Sequence, residues 1–408
     1  MSKSNRKPKK IYLDYAASAF LEASNPGAIH EFGVKEKNKL EKARAIIANI
    51  LDARKNEIIF TSGATESNNL AVLGLVQGQN LTLRPLLAKE RVGERWIPHI
   101  ITTNIEHASV LEVFRHLEET KQAEVTYVEV ENTGIVDFKK IKKSLKPNTV
   151  LVSVMYANNE IGTIQPIMEI AKEIRYFNKI NSKKTRLGAR QVFFHTDATQ
   201  AINYLPVNVS KLGVDMMSWN GAKIYGPKGI GALFVKKGTP IKKIMFGGDQ
   251  EFGLRPGTEN TALAVELAKD MQVVEKIKEK ETKRLTKLRD YFLSELSKTP
   301  FGIIINGDLQ NRLPNNVNIT FPKIPSDLLV VELSARGIMT SSKSACKSSK
   351  AEGSYVINAI RSVQGKTLYD GEEGGVRFSL GRQTTKKDID YTVRALGEIL
   401  TKLKKWYD

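Results

Sequence analysis

Short apolar runs alternate with longer stretches of helical periodicity from about residue 58 onward. This alternation is typical of a mainly parallel β-sheet flanked by helices, because strands buried on both faces are apolar along their whole length. The predicted strands are EIIFTSG, HIITTNIEH, EVTYVEV, TVLVSVMYANNE, QVFFHTDA, VDMMSWNG and GIGALFVK. Each run ends in polar or glycine residues, and open sheets of this kind bind ligands at the carboxyl ends of their strands. We therefore predict an α/β fold whose functional site gathers the tails of these runs.

The pattern changes after RPGTEN, residues 255–260. It then predicts a long charged amphipathic helix from about 261 to 297, short strands, and a closing helix from about 386. A chain of 408 residues also exceeds what one hydrophobic core usually supports. The predicted organisation is a basic disordered tail at 1–10, a large domain at 11–260 whose first part can pack with the small domain, and a small α+β domain at 261–408.

Composition and charge narrow the class of protein. A single cysteine cannot form an internal disulfide, the amino terminus MSKSNRKPKK lacks the apolar stretch of a signal peptide, and no segment is long and apolar enough to span a bilayer. We therefore expect a cytoplasmic protein with no membrane partner. The net charge of +19 is spread over several segments, as in a solvated basic surface, so direct nucleic-acid binding is not expected. The five histidines form no pair with ligand spacing, and no metal is predicted.

The segment FTSGATESNNLAV, residues 60–72, runs from a predicted strand through a glycine turn into a predicted helix. The free amides of that helix start, from Ala64 onward, can bind a phosphate dianion together with the helix dipole and the Thr65 hydroxyl. The same residue types are equally typical of ordinary helix capping. This segment alone does not decide between the two interpretations.

Two further segments place ionisable side chains after predicted strands. In FHTDATQ, residues 194–200, Asp197 can keep a heteroaromatic ring nitrogen protonated, as a pyridine cofactor requires, or it can cap the following turn. In SWNGAKIYGPKGIGALFV, residues 218–235, Lys223 can form an imine with an aldehyde cofactor, or it can be an ordinary solvated lysine.

The combination of these groups points to one cofactor. A phosphate cradle, an acid for a ring nitrogen and an imine-forming lysine are what pyridoxal 5'-phosphate requires, and they occur in a workable order. His107, in NIEHASV, can stack on a flat ring, or it can be an ordinary histidine whose hydrogen-bonding groups are satisfied at a helix start. Asn158 and Asn159, in MYANNEIG, follow another strand, where asparagine is often only a turn former.

The only cysteine, Cys346, lies in SSKSACKSSK, residues 341–350, between Lys343 and Lys347. This is loop composition rather than core composition, so the common interpretation of a lone cysteine as a buried small hydrophobe is weak. Neighbouring ammonium groups favour the thiolate over the thiol. Cys346 is therefore a candidate nucleophile.

These segments together resemble the cysteine desulfurases, which are pyridoxal-phosphate enzymes of the aspartate aminotransferase fold. The resemblance covers nearly the whole chain and rests on YLDYAAS, FTSGATESNN, EHASV, NNEIGTIQP, HTDATQ, KIYGPKGIGALFV, RPGTEN, SSKSACKSS and VRFSLGRQTT, in the family's order. It implies fold type I of the pyridoxal-phosphate-dependent transferases, with a mainly parallel seven-stranded sheet flanked by helices and a smaller α+β carboxy-terminal domain. It also implies a homodimer, because in this family each site is completed across a dimer interface.

The resemblance implies a role for each matching residue. The catalytic residues are Lys223, which forms the imine with the cofactor, His107, which stacks on the ring and handles protons, and Cys346, which accepts sulfur. The other implied cofactor contacts are Ala64, Thr65, Asn159, Asp197 at the ring nitrogen, Gln200 at the ring hydroxyl, Asn220, and Thr258 of the partner subunit. Asn159 also faces the substrate, and Arg377 clamps its carboxylate, for which a bidentate guanidinium is suited.

The implied reaction converts L-cysteine to L-alanine. The thiol of the bound cysteine becomes the leaving sulfur, and the Cys346 thiolate attacks that sulfur to leave an enzyme persulfide. The sulfur then passes to an acceptor protein, for iron-sulfur cluster assembly or for thiolation of transfer RNA.

Four features depart from the family pattern. Asn220 and Ala222 stand where the family usually has serine and histidine, and Ala222 cannot donate a hydrogen bond to a phosphate. Lys343 stands where a glycine is common, and the stretch between YLDYAAS and NPGAIHEFG is short. Residues 81–97 and 176–190 look like insertions and are predicted to be surface loops.

Other functions fit parts of the pattern. A selenocysteine lyase, or another lyase or transferase on the same scaffold, is suggested by Asn220 and Ala222. A catalytically weakened scaffold or nucleic-acid-binding protein is suggested by the positive charge and the altered phosphate site. A degenerate enzyme would usually have lost one of Lys223, Asp197 and Cys346. A preparation that stays colourless after addition of pyridoxal phosphate would favour the scaffold.

Overall fold

The computed structural model of the protein describes residues 11–19, 24–87, 96–184, 191–342, 354–362 and 374–407. The predicted tail at 1–10 and the predicted sulfur acceptor Cys346 lie outside these residues. The predicted strands and most of the predicted helices lie inside them, so the fold expected from the sequence can be compared with the structure element by element.

Seven strands form the central sheet: β1 Ile58–Thr61, β2 His99–Thr103, β3 Glu124–Val128, β4 Thr149–Ser153, β5 Phe193–Asp197, β6 Met216–Asn220 and β7 Gly231–Val235. Their order across the sheet is β1, β7, β6, β5, β4, β2, β3. Strand β7 runs antiparallel to its neighbours β1 and β6, and the remaining neighbouring pairs are parallel. Each strand lies within one of the predicted apolar runs, and the mainly parallel seven-stranded sheet is confirmed.

Both faces of the sheet are covered, which explains why the strands are apolar without interruption. Successive residues of a strand point to opposite faces. Leu151 and Phe193, which are paired in the β4–β5 register, lie in one buried apolar cluster. Their successors Val152 and Phe194 lie in the other cluster, on the opposite face. The sheet therefore separates two layers of packed side chains.

Helices that precede or follow the strands supply these two layers, and further helices pack against the small sheet. In chain order they are α1 Glu31–Leu51, α2 Ala64–Leu87, α3 Ala108–Glu119, α4 Phe138–Ser144, α5 Ile167–Lys184, α6 Val209–Leu212, α7 Thr261–Ser297, α8 Ser326–Ser334, α9 Tyr355–Ser362 and α10 Lys386–Tyr407. Helices α2 and α3 cover one face, through residues such as Leu75 and Phe114. Helices α1, α5 and α7 cover the other, through Ile47, Ile174 and Leu267.

A second, smaller sheet forms in the carboxy-terminal part. Strands β8 Ile304–Ile305, β9 Asn316–Thr320 and β10 Val376–Ser379 pair antiparallel in the order β10, β9, β8. Phe378 of this sheet packs in one cluster with Leu396 of α10. Helix α7 contributes to both cores, because Leu267 packs in the large one and Phe292 in the small one. The predicted small α+β arrangement is confirmed, and the division of the chain at residue 261 stays a prediction.

Two segments that were predicted to be surface loops are helical where the structure describes them. Helix α2 continues to Leu87 and helix α5 to Lys184, so the prediction of loops was wrong for residues 81–87 and 176–184. In α5 the apolar pattern continues through the segment, since Phe177 packs against the core three residues after the buried Ile174.

Candidate active site

A cavity of about 420 Å³ opens beside the carboxyl ends of β4, β5 and β6, where the sheet topology predicts a site. The predicted site residues that line it are Ala64, Thr65, His107, Asn159, Asp197, Gln200, Asn220, Lys223 and Arg377. Of the other predicted residues, Thr258 is exposed and does not line the cavity, and Cys346 lies outside the described residues. The lining comes from distant parts of the chain, so the fold brings these residues together.

Helix α2 begins at the cavity with Ala64 and Thr65. Glu66 accepts a hydrogen bond from the backbone amide of Ser62 at 2.7 Å and pairs with Arg255, with 3.0 Å between Nε and Oε1. Burial raises the pKa of Glu66, but these hydrogen bonds and the Arg255 charge outweigh it and leave the pKa below its usual value. Glu66 thus caps the turn as ordinary helix capping predicts. The first amides of the helix and the Thr65 hydroxyl can still bind an anion.

The turn before α2 packs closely on the sheet. A Cβ atom on Gly231 of β7 would lie 2.6 Å from Cα of Gly63 and 2.7 Å from the carbonyl oxygen of Trp219. Both neighbours are backbone atoms that cannot move aside, so glycine is required at this position. The close approach places the start of α2 beside the end of β6, which carries Asn220.

Asp197 ends β5 and is buried in the cavity wall. Its Oδ1 accepts a hydrogen bond from the backbone amide of Thr199 at 2.9 Å, so it caps the following turn as one interpretation predicted. Its Oδ2 accepts from Nδ2 of Asn68 at 2.8 Å. Because a carboxylate has about four acceptor positions, Asp197 can also accept a hydrogen bond from a ligand in the cavity.

His195, two residues before Asp197, is fully buried inside the sheet. Ser153 Oγ of β4 lies 2.8 Å from its Nδ1, and Ser218 Oγ of β6 lies 2.9 Å from its Nε2. Burial lowers the pKa of His195 to about 4, and the charge of Asp197 acts in the opposite direction. His195 is therefore a neutral link across three strands beneath the site, a role that sequence reasoning missed.

His107 is the N-cap residue of α3 and also lines the cavity. Its Nδ1 accepts a hydrogen bond from the backbone amide of Ser109 at 3.1 Å and lies 2.8 Å from Ser109 Oγ. The interpretation of His107 as a residue at a helix start is therefore confirmed, and because the ring also borders the cavity, its predicted stacking on a flat ring stays a prediction.

The two adjacent asparagines have different positions. Asn158 is fully buried, and its Oδ1 accepts hydrogen bonds from the backbone amides of Glu160 and Ile161 at 2.8 and 3.0 Å. It forms a turn, as the interpretation of asparagine after a strand predicted. Asn159 lines the cavity.

Lys223 ends a short 3-10 turn, Gly221–Lys223, that follows β6. Asn220 Oδ1 accepts a hydrogen bond from the Lys223 backbone amide at 3.1 Å, and Asn203 Nδ2 donates to the Lys223 carbonyl. Because the amide oxygen of Asn220 caps this turn, its Nδ2 is the atom that can donate to a phosphate. Ala222 lines the cavity with a methyl group and offers no donor.

Arg377 of β10 reaches the cavity from the small sheet, and its Nη1 donates to the carbonyl of Asn159 at 2.9 Å. Burial lowers the pKa of Arg377, and the charge of Glu160 acts in the opposite direction. Four buried atoms of cavity-lining residues have no hydrogen-bond partner among the described residues: Arg377 Nε, Asn159 Oδ1, Thr199 Oγ1 and Asn315 Oδ1. Buried polar atoms are seldom left unsatisfied, so these atoms indicate a site for a polar ligand.

Glu106, next to His107, was also missed by sequence reasoning. It is fully buried and accepts hydrogen bonds from the Met155 backbone amide at 2.9 Å and from Thr103 Oγ1 at 2.7 Å. Burial raises its pKa to about 8, despite these hydrogen bonds. Glu106 joins the chain beyond β2 to the chain beyond β4, and this contact positions His107 and Asn159 on one side of the cavity.

The segment 343–353, which contains Cys346, lies outside the described residues, but on one side of it the chain contacts Arg377, which lines the cavity, and on the other side it contacts Glu160, the neighbour of the cavity residue Asn159. Ser341 and Arg377 exchange backbone hydrogen bonds of 2.7 and 3.2 Å. Ser354 Oγ donates to the Glu160 carboxylate. Both flanks of the segment are therefore fixed close to the candidate site.

In the parts of the chain that the structure describes, no three His, Cys, Asp or Glu side chains are arranged to hold a metal ion. None of the described helices is both long enough and apolar enough to cross a membrane.

The family model for aminotransferase class-V matches residues 6–392 of the chain. The chain belongs to the class-V aminotransferase family. The family resemblance inferred from the sequence motifs is thereby confirmed. Class-V aminotransferases typically use pyridoxal phosphate, the cofactor that the motifs predict.

Relatives of this class-V aminotransferase are named cysteine desulfurase. The chain is 40% identical over 410 residues to the cysteine desulfurase IscS of Dictyoglomus turgidum, covering 97% of this chain and 96% of that protein. It is 40% identical over 380 residues to IscS of Methanosarcina thermophila, covering 93% and 86%. Among solved structures, a NifS-like protein matches with a TM-score of 0.79 and 33% identity, covering 93% of this chain and 92% of that one. SspA in complex with cysteine matches with a TM-score of 0.69 and 31% identity, covering 88% and 91%.

Proposed function

We propose that the protein is a pyridoxal-phosphate-dependent cysteine desulfurase, a sulfurtransferase that converts L-cysteine to L-alanine. The observation that carries the proposal is one cavity lined by the residues that the motifs predict for this chemistry, among them Lys223, Asp197 and Arg377. The relatives at 35 to 40% identity that carry this name support it.

The cavity residues fit the cofactor. The start of α2, the Thr65 hydroxyl and Asn220 Nδ2 would hold the phosphate, Asp197 would pair with the ring nitrogen, and Gln200 would contact the ring hydroxyl. The partnerless buried atoms in the wall are consistent with a polar molecule in this space. When bound, pyridoxal phosphate supplies an electron sink for bonds to the substrate α-carbon.

The protein's own groups perform the remaining tasks in this proposal. Lys223 would supply the amine that holds the cofactor, and His107 would stack on its ring and move protons. Arg377 binds the substrate carboxylate, with Asn159 beside it. The hydrogen bond from Arg377 to the Asn159 carbonyl fixes the guanidinium and leaves its Nε available to the substrate.

Sulfur transfer is assigned to Cys346. The carbon–sulfur bond of the substrate breaks and a sulfur–sulfur bond to Cys346 forms, so L-cysteine and the Cys346 thiol give L-alanine and a Cys346 persulfide with atoms and electrons balanced. The contacts of Ser341 with Arg377 and of Ser354 with Glu160 support this assignment, because they fix both flanks of the cysteine segment near the cavity. The persulfide would then supply a sulfur-acceptor protein in the cytoplasm, for iron-sulfur cluster assembly or transfer-RNA thiolation.

We further propose that the enzyme acts as a homodimer. The segment before Thr258 exposes three large apolar side chains, because Met245, Phe246 and Phe252 are 50%, 83% and 55% exposed. Exposed apolar surface favours an interface with another protein chain. Thr258 is exposed and lies outside the cavity of its own chain. It would contact the cofactor phosphate in the site of the other subunit.

The test is incubation of the purified protein with L-cysteine, with measurement of alanine, sulfide and protein mass, and with selenocysteine as a competing substrate. We expect alanine and a persulfide adduct from the parent protein. Cys346→Ser should keep the yellow colour of the bound cofactor but form no adduct and lose alanine release, because a hydroxyl is a far poorer sulfur nucleophile than a thiolate. Equal alanine release by both proteins would refute the role of Cys346, and a preference for selenocysteine would favour a selenocysteine lyase.

A further inference from the structure

A chain of hydrogen bonds that the motifs did not predict joins Asp197 to His107. Its central residue is Asn68 of α2, which is fully buried. Asn68 Nδ2 lies 2.8 Å from Asp197 Oδ2 and 2.8 Å from Ser109 Oγ. Ser109 Oγ in turn lies 2.8 Å from His107 Nδ1. The chain therefore connects the end of β5, the first turns of α2 and the start of α3.

The chemistry of these atoms fixes the direction of each hydrogen bond. An amide nitrogen only donates, so Asn68 gives one hydrogen to the Asp197 carboxylate and the other to Ser109 Oγ. The reversed amide would set its oxygen against the carboxylate, with no donor between them. Asn68 keeps this orientation although its Oδ1 is buried with no hydrogen-bond partner among the described residues. Ser109 Oγ, which accepts from Asn68, has its own hydrogen to donate to His107 Nδ1.

His107 Nδ1 also accepts the hydrogen bond from the Ser109 backbone amide at 3.1 Å. A proton on Nδ1 would point at the N–H of that amide. It would also prevent the Ser109 hydroxyl from donating its hydrogen to Nδ1. Neutral His107 therefore carries its proton on Nε2. We infer that Asn68 and Ser109 are positioning residues that fix His107 in the Nε2–H tautomer and couple its orientation to Asp197.

This inference adds detail to the proposed desulfurase function. It rests on that function only in saying what the proton on His107 Nε2 is used for. In the proposed reaction, Nε2 is the atom of His107 that exchanges protons in the cavity, because Nδ1 is occupied by Ser109. Asn68 thereby holds two residues in one arrangement: Asp197, which would orient the cofactor ring nitrogen, and His107, which would handle protons. The tautomer itself is a property of the protein and can be measured without turnover.

The experiment measures the tautomer of His107 by nitrogen NMR on the full-length protein labelled with ¹⁵N-histidine, with and without added pyridoxal phosphate. The chain has five histidines, and the signal of His107 is assigned by its loss in His107→Gln. We expect the Nε2–H tautomer in the parent protein. In Ser109→Ala the ratio of Nε2–H to Nδ1–H should fall about fivefold, the effect of one lost hydrogen bond, and Ser109→Thr should restore it.

A double-mutant comparison tests the coupling through Asn68. Asn68→Ala should lower the same ratio, because the Ser109 hydroxyl then loses the donor that directs it. The double variant should match Ser109→Ala alone, since Asn68 acts only through that hydroxyl. Asn69→Ala is the matched control, because Asn69 lies on the same helix and its side chain donates to the Thr65 carbonyl at 2.9 Å.

Three results would overturn the inference: an Nδ1–H tautomer in the parent protein, an unchanged ratio in Ser109→Ala, or additive effects in the double variant. Thermal unfolding checks that each variant is folded, and if Asn68→Ala fails to fold, the parent and Ser109→Ala decide. A protein with the expected tautomer that produced no alanine from cysteine would keep this inference and reject the proposed function.

Discussion

The amine of Lys223 is the group in the cavity on which the proposed chemistry depends most directly. Lys223→Ala should lose the absorbance near the visible edge that comes from the imine between this lysine and pyridoxal phosphate, and alanine formation from cysteine should fall to background. Absorbance spectra and an alanine assay measure both. Lys228→Ala is the matched control, because Lys228 is exposed in the same loop and does not line the cavity. Turnover by Lys223→Ala at the parent rate would show that the assignment of the lysine is wrong.

Ala222 is the position at which the proposed phosphate site lacks a hydrogen-bond donor. It lines the cavity without a donor, and Asn220 uses its amide oxygen to cap the turn of Lys223. Ala222→His should bind pyridoxal phosphate about tenfold or more tightly, because a hydrogen bond to a charged group contributes roughly 1.5 to 3 kcal/mol. A titration of cofactor-free protein measures the affinity. Ala222→Leu adds bulk without a donor and should not tighten binding; equal affinities of parent and Ala222→His would contradict the prediction.

Individual site residues could be predicted where a polar side chain follows an apolar strand. Asp197 and Asn159 both lie at such positions, because parallel strands end at one edge of the sheet. Thr199 and Asn315 were not predicted, because polar residues in turns are common and nothing in the local sequence marks these two as facing the cavity. Asn68 also could not be predicted, because its burial depends on the contact of α2 with α3 and β5, which is not local in sequence.

Among the elements, helix α7 was predicted from its pattern almost residue by residue. Asn260 caps the start of this helix, because its Oδ1 accepts a hydrogen bond from the Leu263 amide at 3.0 Å. The amphipathic periodicity of charged and apolar residues then continues to Ser297. The ends of α2 and α5 were predicted poorly. Both ends belong to segments that look like insertions relative to the family and were therefore expected to be loops, but adding a residue to an established helix costs much less than starting one.

His195, which links β4, β5 and β6, makes the stability of the folded protein sensitive to acid. Burial lowers the pKa of His195 in the folded protein to about 4, whereas the ordinary pKa of histidine, which applies in the unfolded chain, is about 6.5. Between these two pH values the unfolded chain binds a proton that the folded protein does not bind. The free energy of unfolding should therefore fall by up to about 3 kcal/mol as the pH is lowered through this range, and then level off.

Denaturant unfolding between pH 7 and pH 4 measures this dependence. His195→Gln can still make hydrogen bonds to Ser153 and Ser218 but does not titrate, so its stability should fall less on acidification than that of the parent. His116→Gln is the control, because it makes the same substitution at an exposed position on α3. Equal slopes for His195→Gln and the parent would contradict the assignment to His195.

At the scale of the whole molecule, the cavity depends on both sheets. Asn316 and Asn318 of the small sheet donate to the Glu160 carbonyl, each at 3.0 Å, and Arg377 donates to the Asn159 carbonyl. The order of motifs along the chain could predict the fold and nine of the residues that line the cavity. It could not predict this junction, because the asparagines that form it belong to no recognised motif and their partner is a backbone carbonyl.

The proposed exchange of Thr258 between subunits allows a complementation test. Thr258→Ala should bind pyridoxal phosphate less tightly, because a phosphate contact is lost, and Lys223→Ala should be inactive. In a mixed dimer of the two variants, one site would lack both residues. The other would combine Lys223 of one chain with Thr258 of the other and would be intact. Co-expressed, differently tagged chains purified as mixed dimers should therefore regain activity at limiting cofactor, up to about half that of the parent. If Thr258 served its own chain instead, no site in the mixed dimer would be intact, and activity at limiting cofactor would stay no higher than that of Thr258→Ala alone.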